Sequence, residues 1–174
     1  LMSELIGLAY YTEIPSVIWD VTRVGPSTGL PTRTQQGDIS MLYEASHGDT
    51  QHIVLIPGNV DECFEFGWKA FDYAEKYQTM VFGFTDLDLG MNLWVSKGFD
   101  YPDEPLNRGK VLKTKEDIEK IENYGRYRDV DGDGITYRTL PGSGLEPIVS
   151  RGTGRDEDGV YSEKSDIYRS NMER

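Results

Sequence analysis

Apolar and polar positions come in blocks along the first hundred residues, and the blocks switch between two periods. Leu1-Met-Ser-Glu-Leu-Ile-Gly-Leu-Ala9 puts Leu1, Leu5 and Leu8 on one helical face, so a helix is expected over residues 1–12, ended by Glu13-Ile-Pro15. Ser16 to Thr22 is apolar at Val17, Ile18, Trp19 and Val21, and reads as a strand in the interior of a parallel sheet. A loop rich in Gly, Pro and hydroxyl residues runs from Arg23 to Arg33. The pattern then predicts a helix over residues 34–45 with Ile39, Leu42 and Tyr43 inward. Gln51 to Ile56 reads as a second strand, stopped by Pro57-Gly58. Asn59, with Glu62 three residues on, has the spacing of a helix cap, and the helix runs to about Tyr77 with Val60, Phe64, Phe71 and Ala74 along one stripe. Thr79 to Thr85 is a third buried strand. Helices alternating with strands predict an α/β fold, a parallel sheet with right-handed crossovers and helices on both faces.

The character changes near residue 100. Residues 101–174 carry 29 of the 48 charged side chains, and strand-length apolar runs vanish there apart from Pro147-Ile-Val149. A short helix is expected within Lys115–Tyr124, with Ile118 and Ile121 inward; the rest is turn-rich. The expected organisation is a partial domain over 1–100, then an ordered, charged connector over 101–174 leading toward a following domain, with disorder as the alternative reading of that composition. Position 1 is not Met and no cap precedes the first helix, so the chain is expected to be a piece of a longer polypeptide.

Composition removes several functions. A formal net charge of −12 disfavours nucleic acid, which needs a basic face. No run of about 18 apolar residues exists, so no membrane span is expected, and nothing at the start resembles a signal peptide. The single cysteine, Cys63, cannot form an internal disulfide, which fits a reducing, cytoplasmic setting, and cannot by itself hold an iron–sulfur cluster. It sits at an apolar helical position and reads as a core thiol.

Chemistry concentrates in the loop after the first strand. Open parallel sheets bind ligands beyond the carboxyl ends of their strands. Arg23 supplies a planar fork suited to a carboxylate, Ser27, Thr28 and Thr32 add hydroxyls, and glycines at 25 and 29 admit close backbone N–H groups. The start of the following helix would add its positive end. The first hundred residues hold only five cations against fourteen anions, so an arginine here is a candidate anion ligand. The competing reading is an Arg paired with a neighbouring carboxylate at a tight turn.

Arg23-Val-Gly-Pro-Ser-Thr-Gly-Leu-Pro-Thr32, continued by Arg33-Thr-Gln-Gln-Gly-Asp38, closely resembles the alpha subunit of 2-oxoacid:ferredoxin oxidoreductases, the 2-oxoglutarate type in particular. The likeness continues through Ile53-Val-Leu-Ile-Pro-Gly-Asn-Val-Asp-Glu-Cys63, Asp86-Leu-Asp-Leu-Gly-Met-Asn92, Tyr124 to Pro141 and Arg151-Gly-Thr-Gly154. The resemblance implies an enzyme that uses thiamine diphosphate to decarboxylate a 2-oxoacid oxidatively, passes the acyl group to coenzyme A and reduces ferredoxin. It implies that the alpha subunit supplies the pyrimidine-side domain. A beta subunit in the same hetero-oligomer would carry the diphosphate end, magnesium and the iron–sulfur cluster. It also implies that Arg23 and Thr32 hold the substrate carboxylate. The family's upstream tyrosine-proline-threonine-proline motif and its activating glutamate are missing here, so no catalytic residue is expected in this segment, and the segment alone is expected to be inactive.

Two further patterns compete. Gly132-Asp-Gly134 mimics the start of a thiamine diphosphate motif, but no buried strand precedes it and the next asparagine is Asn171. Asp129, Asp131, Asp133 and Gly134 fit the first half of an EF-hand loop, but its twelfth position would be Leu140 in place of the required Glu. An aspartate–glycine turn is the simpler reading, with a divalent ion in another geometry as the alternative. His47 and His52 lack partners at metal spacing, so no metal ligand is expected. The rival functions are the pyrimidine-side domain of a non-redox thiamine enzyme and a non-catalytic calcium-binding scaffold.

Overall fold

The computed structural model describes residues 2–145 and 150–174; the Pro147–Val149 run and Leu1 lie outside the described residues. Two compact units result. One takes the chain up to Asn107 apart from Tyr11–Glu13, which belong with Arg108–Arg174 to the other.

The first unit is an open parallel sheet in the order β1-β3-β2, from β1 (Ser16–Thr22), β2 (Ile53–Leu55) and β3 (Met80–Asp86). Helices α1 (Met2–Thr12) and α2 (Ile39–Tyr43) cover one face, and α3 (Val60–Tyr77) covers the other. The two-residue period of the strands divides the core. Ile18, Val54, Phe82 and Phe84 pack with Ile6, Ala9, Ile39 and Leu42, while Val17, Ile53, Leu55 and Val81 meet Ala70, Tyr73 and Ala74 of α3. The expected α/β sheet with helices on both faces is the architecture that forms.

Several details differ from expectation. The central strand is β3, buried from Met80 through Phe84, and β1 has a single strand neighbour among the described residues, with Val21 exposed. Two apolar faces on β1 are satisfied by helices on both sides of the sheet, and this does not require a central place. Helix α1 buries Ile6 and Ala9, leaving Leu5 and Leu8 outward, and Tyr43 and Phe71 also point out. The expected helix over residues 34–45 shrinks to five residues, because Thr34–Gln36 run without regular structure to Asp38. Gly83 allows Trp19 on the neighbouring strand to lie across it: a Cβ there would fall 2.3 Å from the indole.

Helix α3 begins as its sequence predicts. Asn59 accepts from the Glu62 N–H at 2.9 Å, and the Glu62 carboxylate reaches back to the Gly58 N–H at 2.7 Å, one residue earlier than the standard box. The last strand leads into α4 (Leu87–Met91), capped by Asp86. Beyond it, Phe99 stacks on Phe64 of α3 at 4.8 Å, and the Asn107 N–H donates to Asp72 at 2.8 Å.

His52 is a core residue. It is 3% exposed, packs edge-on against Tyr10 and Phe82, and bonds the Ala45 carbonyl through Nε2 at 2.7 Å. Burial pushes its pKa below the ordinary 6.5, outweighing the opposite pull of the Ala45 carbonyl. A depressed folded pKa contributes stability that is present above pH 6.5 and lost as pH falls through the folded value. The protein's resistance to urea should therefore fall on acidification from about pH 7.5 to about pH 5, and His52→Gln should lose less over that interval. Parallel pH curves for the two proteins would contradict this placement.

The second unit has little regular structure: α5 (Lys115–Glu119), with a Thr114–Asp117 capping box, α6 (Ser165–Glu173), and isolated bridges Val111–Arg138 and Arg155–Tyr161. Its buried residues include Leu112, Tyr127, Thr136, Arg126, Arg138 and Arg155. Three arginines converge on Glu13. Arg126 and Arg155 reach it at 3.3 and 3.0 Å, Arg174 also pairs with it, and the Thr136 hydroxyl donates at 3.1 Å. The Arg155 guanidinium lies between the rings of Tyr127 and Tyr11, at 3.7 and 4.4 Å.

Candidate functional site

Strand β1 ends at Thr22, which is buried and donates its hydroxyl to Asp38 Oδ2 at 2.8 Å. This bond ties the end of the strand to the residue before α2 and closes the segment between them. Within the segment the backbone folds on itself. The Val24 N–H donates to the Arg33 carbonyl at 3.1 Å, Leu30 N–H to Val24 at 3.0 Å, and Arg33 N–H to Leu30 at 3.1 Å. The result is a narrow-necked loop at the carboxyl end of the sheet. Gln36 links it to the end of β3, donating to Asp86 Oδ2 at 3.1 Å. Burial pushes the Asp86 carboxyl up, but the hydrogen bonds it accepts, led by the Leu89 N–H, hold it below the usual carboxylate range.

The loop separates the expected site residues into two groups. Arg23 and Thr32 stand at the neck, each adjacent in sequence to one member of the Val24–Arg33 hydrogen bond. Ser27 and Thr28 lie in the turn at the tip, Ser27 in the left-handed region with φ of 59°. All four are exposed. Arg23 forms no ion pair among the described residues, unlike the tight-turn pairing that competes with an anion role. Its charge is felt by Asp20, where burial and the Asp38 carboxylate push the carboxyl up and Arg23 works the other way. Asp20 Oδ2 is buried without a hydrogen-bond partner among the described residues.

Two expectations about this loop change. Helix α2 begins at Ile39 and has only five residues, so its positive end is not part of the site. Gly29, rather than admitting a ligand, admits the loop's own backbone: a Cβ would lie 2.6 Å from the Gly25 carbonyl and 2.9 Å from that of Val24. Gly29→Ala is expected to open the neck and weaken binding of a carboxylate probe at this loop at least about tenfold, with the melting temperature almost unchanged because the loop is exposed. Unaltered binding of the probe would show that the loop's shape is not used. Asp38 and Gln36 carry no local signal in the sequence because each acts across the fold, while Asp86, a strand-end position unsuited to an anion, serves to anchor Gln36.

The other candidates resolve differently. Lys110 puts its ammonium between Asp131 and Asp133, each at 2.6 Å, and donates to the Ile135 carbonyl at 2.9 Å. Asp129 accepts from the Gly132 and Gly134 N–H groups, both at 2.8 Å. A lysine thus stands where a bound cation would sit, and the aspartate–glycine turn accounts for the pattern. Gly132-Asp133-Gly134 belongs to this turn and follows no strand, so the residues present do not fit the diphosphate of thiamine diphosphate or its magnesium. Cys63, expected in the core, is half-buried, and burial pushes its thiol up, leaving it protonated. His47 meets Glu4 at 3.1 Å on the surface. Among the described residues no helix is long and apolar enough to cross a membrane.

Residues 1–93 match the family described as pyruvate flavodoxin/ferredoxin oxidoreductase, thiamine diphosphate-binding. The chain is 49% identical over 90 residues to the 2-oxoglutarate synthase subunit KorA of Methanocaldococcus jannaschii, a match covering 52% of this chain and 25% of that protein. It is 38% identical over 165 residues to the alpha subunit of 2-oxoacid:ferredoxin oxidoreductase 2 of Aeropyrum pernix, covering 94% of this chain and 24% of the relative. The structure is similar to that of 2-oxoglutarate:ferredoxin oxidoreductase from Magnetococcus marinus with 2-oxoglutarate, coenzyme A and succinyl-CoA bound. That likeness has a TM-score of 0.79 and 27% identity, over 98% of this chain and 30% of the other. The chain spans about a quarter of the length of these curated relatives. The narrow-necked loop and the sheet that carries it fall inside the matched residues, and the chain belongs to the pyruvate flavodoxin/ferredoxin oxidoreductase family, as a segment of the alpha-subunit type.

Proposed function

We propose that this segment holds the carboxylate of a 2-oxoacid, 2-oxoglutarate in the first instance, in the alpha subunit of a CoA-acylating 2-oxoacid:ferredoxin oxidoreductase. The observation that carries the reading is Arg23, an exposed guanidinium without an ion pair among the described residues, at the carboxyl end of a parallel sheet. Its planar fork donates to both oxygens of a carboxylate, and the Thr32 hydroxyl, on the other side of the neck, donates a further hydrogen bond. Ser27 and Thr28 line the tip, where they meet the parts of the substrate farther from C1. In this reading residues 1–100 are part of the pyrimidine-side domain, and residues 101–174 connect it to a following domain.

The chain's own contribution is to bind and orient. The Arg23 guanidinium and the Thr32 hydroxyl donate hydrogen bonds to the carboxylate and carry no proton-transfer step. Thiamine diphosphate, magnesium and the iron–sulfur cluster belong mainly to the beta subunit, consistent with a single protonated cysteine here. Coenzyme A is the acyl acceptor and ferredoxin the electron acceptor, and the complex works in the cytoplasm.

The test uses the complete alpha subunit purified with its beta subunit. The complex is expected to contain iron and to reduce ferredoxin or a viologen only when both 2-oxoglutarate and coenzyme A are present. A complex without iron that decarboxylates 2-oxoacids and reduces neither acceptor would instead be a non-redox thiamine enzyme.

A further inference from the structure

The neck of the loop carries a second guanidinium, that of Arg33, and resting on the carboxylate reading above, we propose that Arg33 is a positioning residue that sets the direction in which the Thr32 hydroxyl donates. Its backbone is pinned on both sides of the peptide unit. The Arg33 N–H donates to Leu30 and its carbonyl accepts from Val24, each at 3.1 Å. From that fixed origin Nη1 donates to the Thr32 carbonyl at 2.9 Å and to Thr32 Oγ1 at 3.2 Å.

A threonine hydroxyl has one proton and two acceptor positions, whereas a guanidinium can only donate. The contact therefore takes a lone pair of Oγ1 and leaves its proton to point away from Arg33. A free hydroxyl rotates among its staggered positions and can equally accept or donate. Held this way, it becomes a donor aimed outward, and the adjacent positive charge polarises its O–H bond. This is the form needed to meet a carboxylate, which only accepts.

The charge of Arg33 is not consumed elsewhere. It forms no salt bridge with an acidic side chain among the described residues, whereas Lys69, another of the five cations in the first hundred residues, is paired with Glu65. Arg23 precedes Val24 and Arg33 supplies the acceptor in the Val24–Arg33 hydrogen bond, so the two arginines leave the backbone at the same neck.

The experiment is a double-mutant cycle in the complete enzyme, reading KM and kcat for 2-oxoglutarate with thermal melting as the control for folding. Arg33→Gln is expected to raise KM about fivefold to tenfold, with kcat and the melting temperature unchanged, and Arg33→Lys to recover part of the loss. In the Thr32→Ala background Arg33→Gln should add no more than about twofold, because the hydroxyl it orients is gone. An equal increase in both backgrounds would overturn the proposal and show that Arg33 acts on the substrate through its own charge. An unchanged KM in Arg33→Gln, where Thr32→Ala does raise it, would overturn the positioning role and leave the carboxylate site standing. If Thr32→Ala alone has no effect, the carboxylate reading fails and the proposal falls with it.

Discussion

Replacing Arg23 with alanine in the complete enzyme is expected to raise KM for 2-oxoglutarate by about a hundredfold while kcat stays within about threefold. A bidentate guanidinium–carboxylate pair is worth about 2–3 kcal/mol, which sets the size of the change. The asymmetry between the two constants follows from the chemistry of decarboxylation. The negative charge leaves the carboxylate as the carbon–carbon bond breaks, so an arginine gripping that carboxylate favours the bound substrate at least as much as the transition state. Its loss weakens ground-state binding and appears in KM. Arg23→Lys should fall between the two, since an ammonium keeps the charge and loses the fork. Steady-state kinetics on the three proteins checks this. A KM within twofold of the parent in Arg23→Ala would remove Arg23 from the site.

A comparable loss, this time in stability, is expected from Glu13→Ala. Arg126 is 6% and Arg155 2% exposed in their side chains, and both reach the Glu13 carboxylate, as does Arg174. Removing the carboxylate leaves buried guanidiniums without their counter-charge, and breaking a buried pair in this way costs about 3–5 kcal/mol. The Thr136 hydroxyl and the ring stacking of Arg155 remain, but neither supplies negative charge. Glu13→Gln, which keeps an acceptor oxygen, should lose less. Hydrogen exchange across residues 108–174 in the complete subunit reads the effect directly. A change below about 1 kcal/mol would mean that solvent, not Glu13, satisfies the arginines.

These two sites show what could be read from the chain alone. β1 and α3 follow their sequence boundaries closely, because a run of β-branched residues and an Asn59 cap are local signals. The helix after the loop did not, since Ile39 and Leu42, two of its three apolar positions, are equally served by the short α2, once Thr22 and Asp38 close the loop at its base. The placement of β1 beside a central β3 depends on pairing, and nothing within Ser16–Thr22 specifies a neighbour. Arg23 stood out because cations are scarce around it. The hydrogen bond between Arg33 and Thr32 was invisible, as adjacency in sequence does not say which way two side chains turn. The Glu13 cluster was equally hidden: its partners lie more than a hundred residues away, and a stretch rich in charges reads as solvated surface until the fold buries it.

That the neck of this loop receives the substrate's carboxylate is tested by a structure of the complete enzyme with a 2-oxoacid bound. The C1 carboxylate is expected within about 3.2 Å of the Arg23 guanidinium and of the Thr32 hydroxyl, the range of a charge-assisted hydrogen bond. A carboxylate held by other residues, with Arg23 more than about 6 Å away and facing solvent, would contradict it.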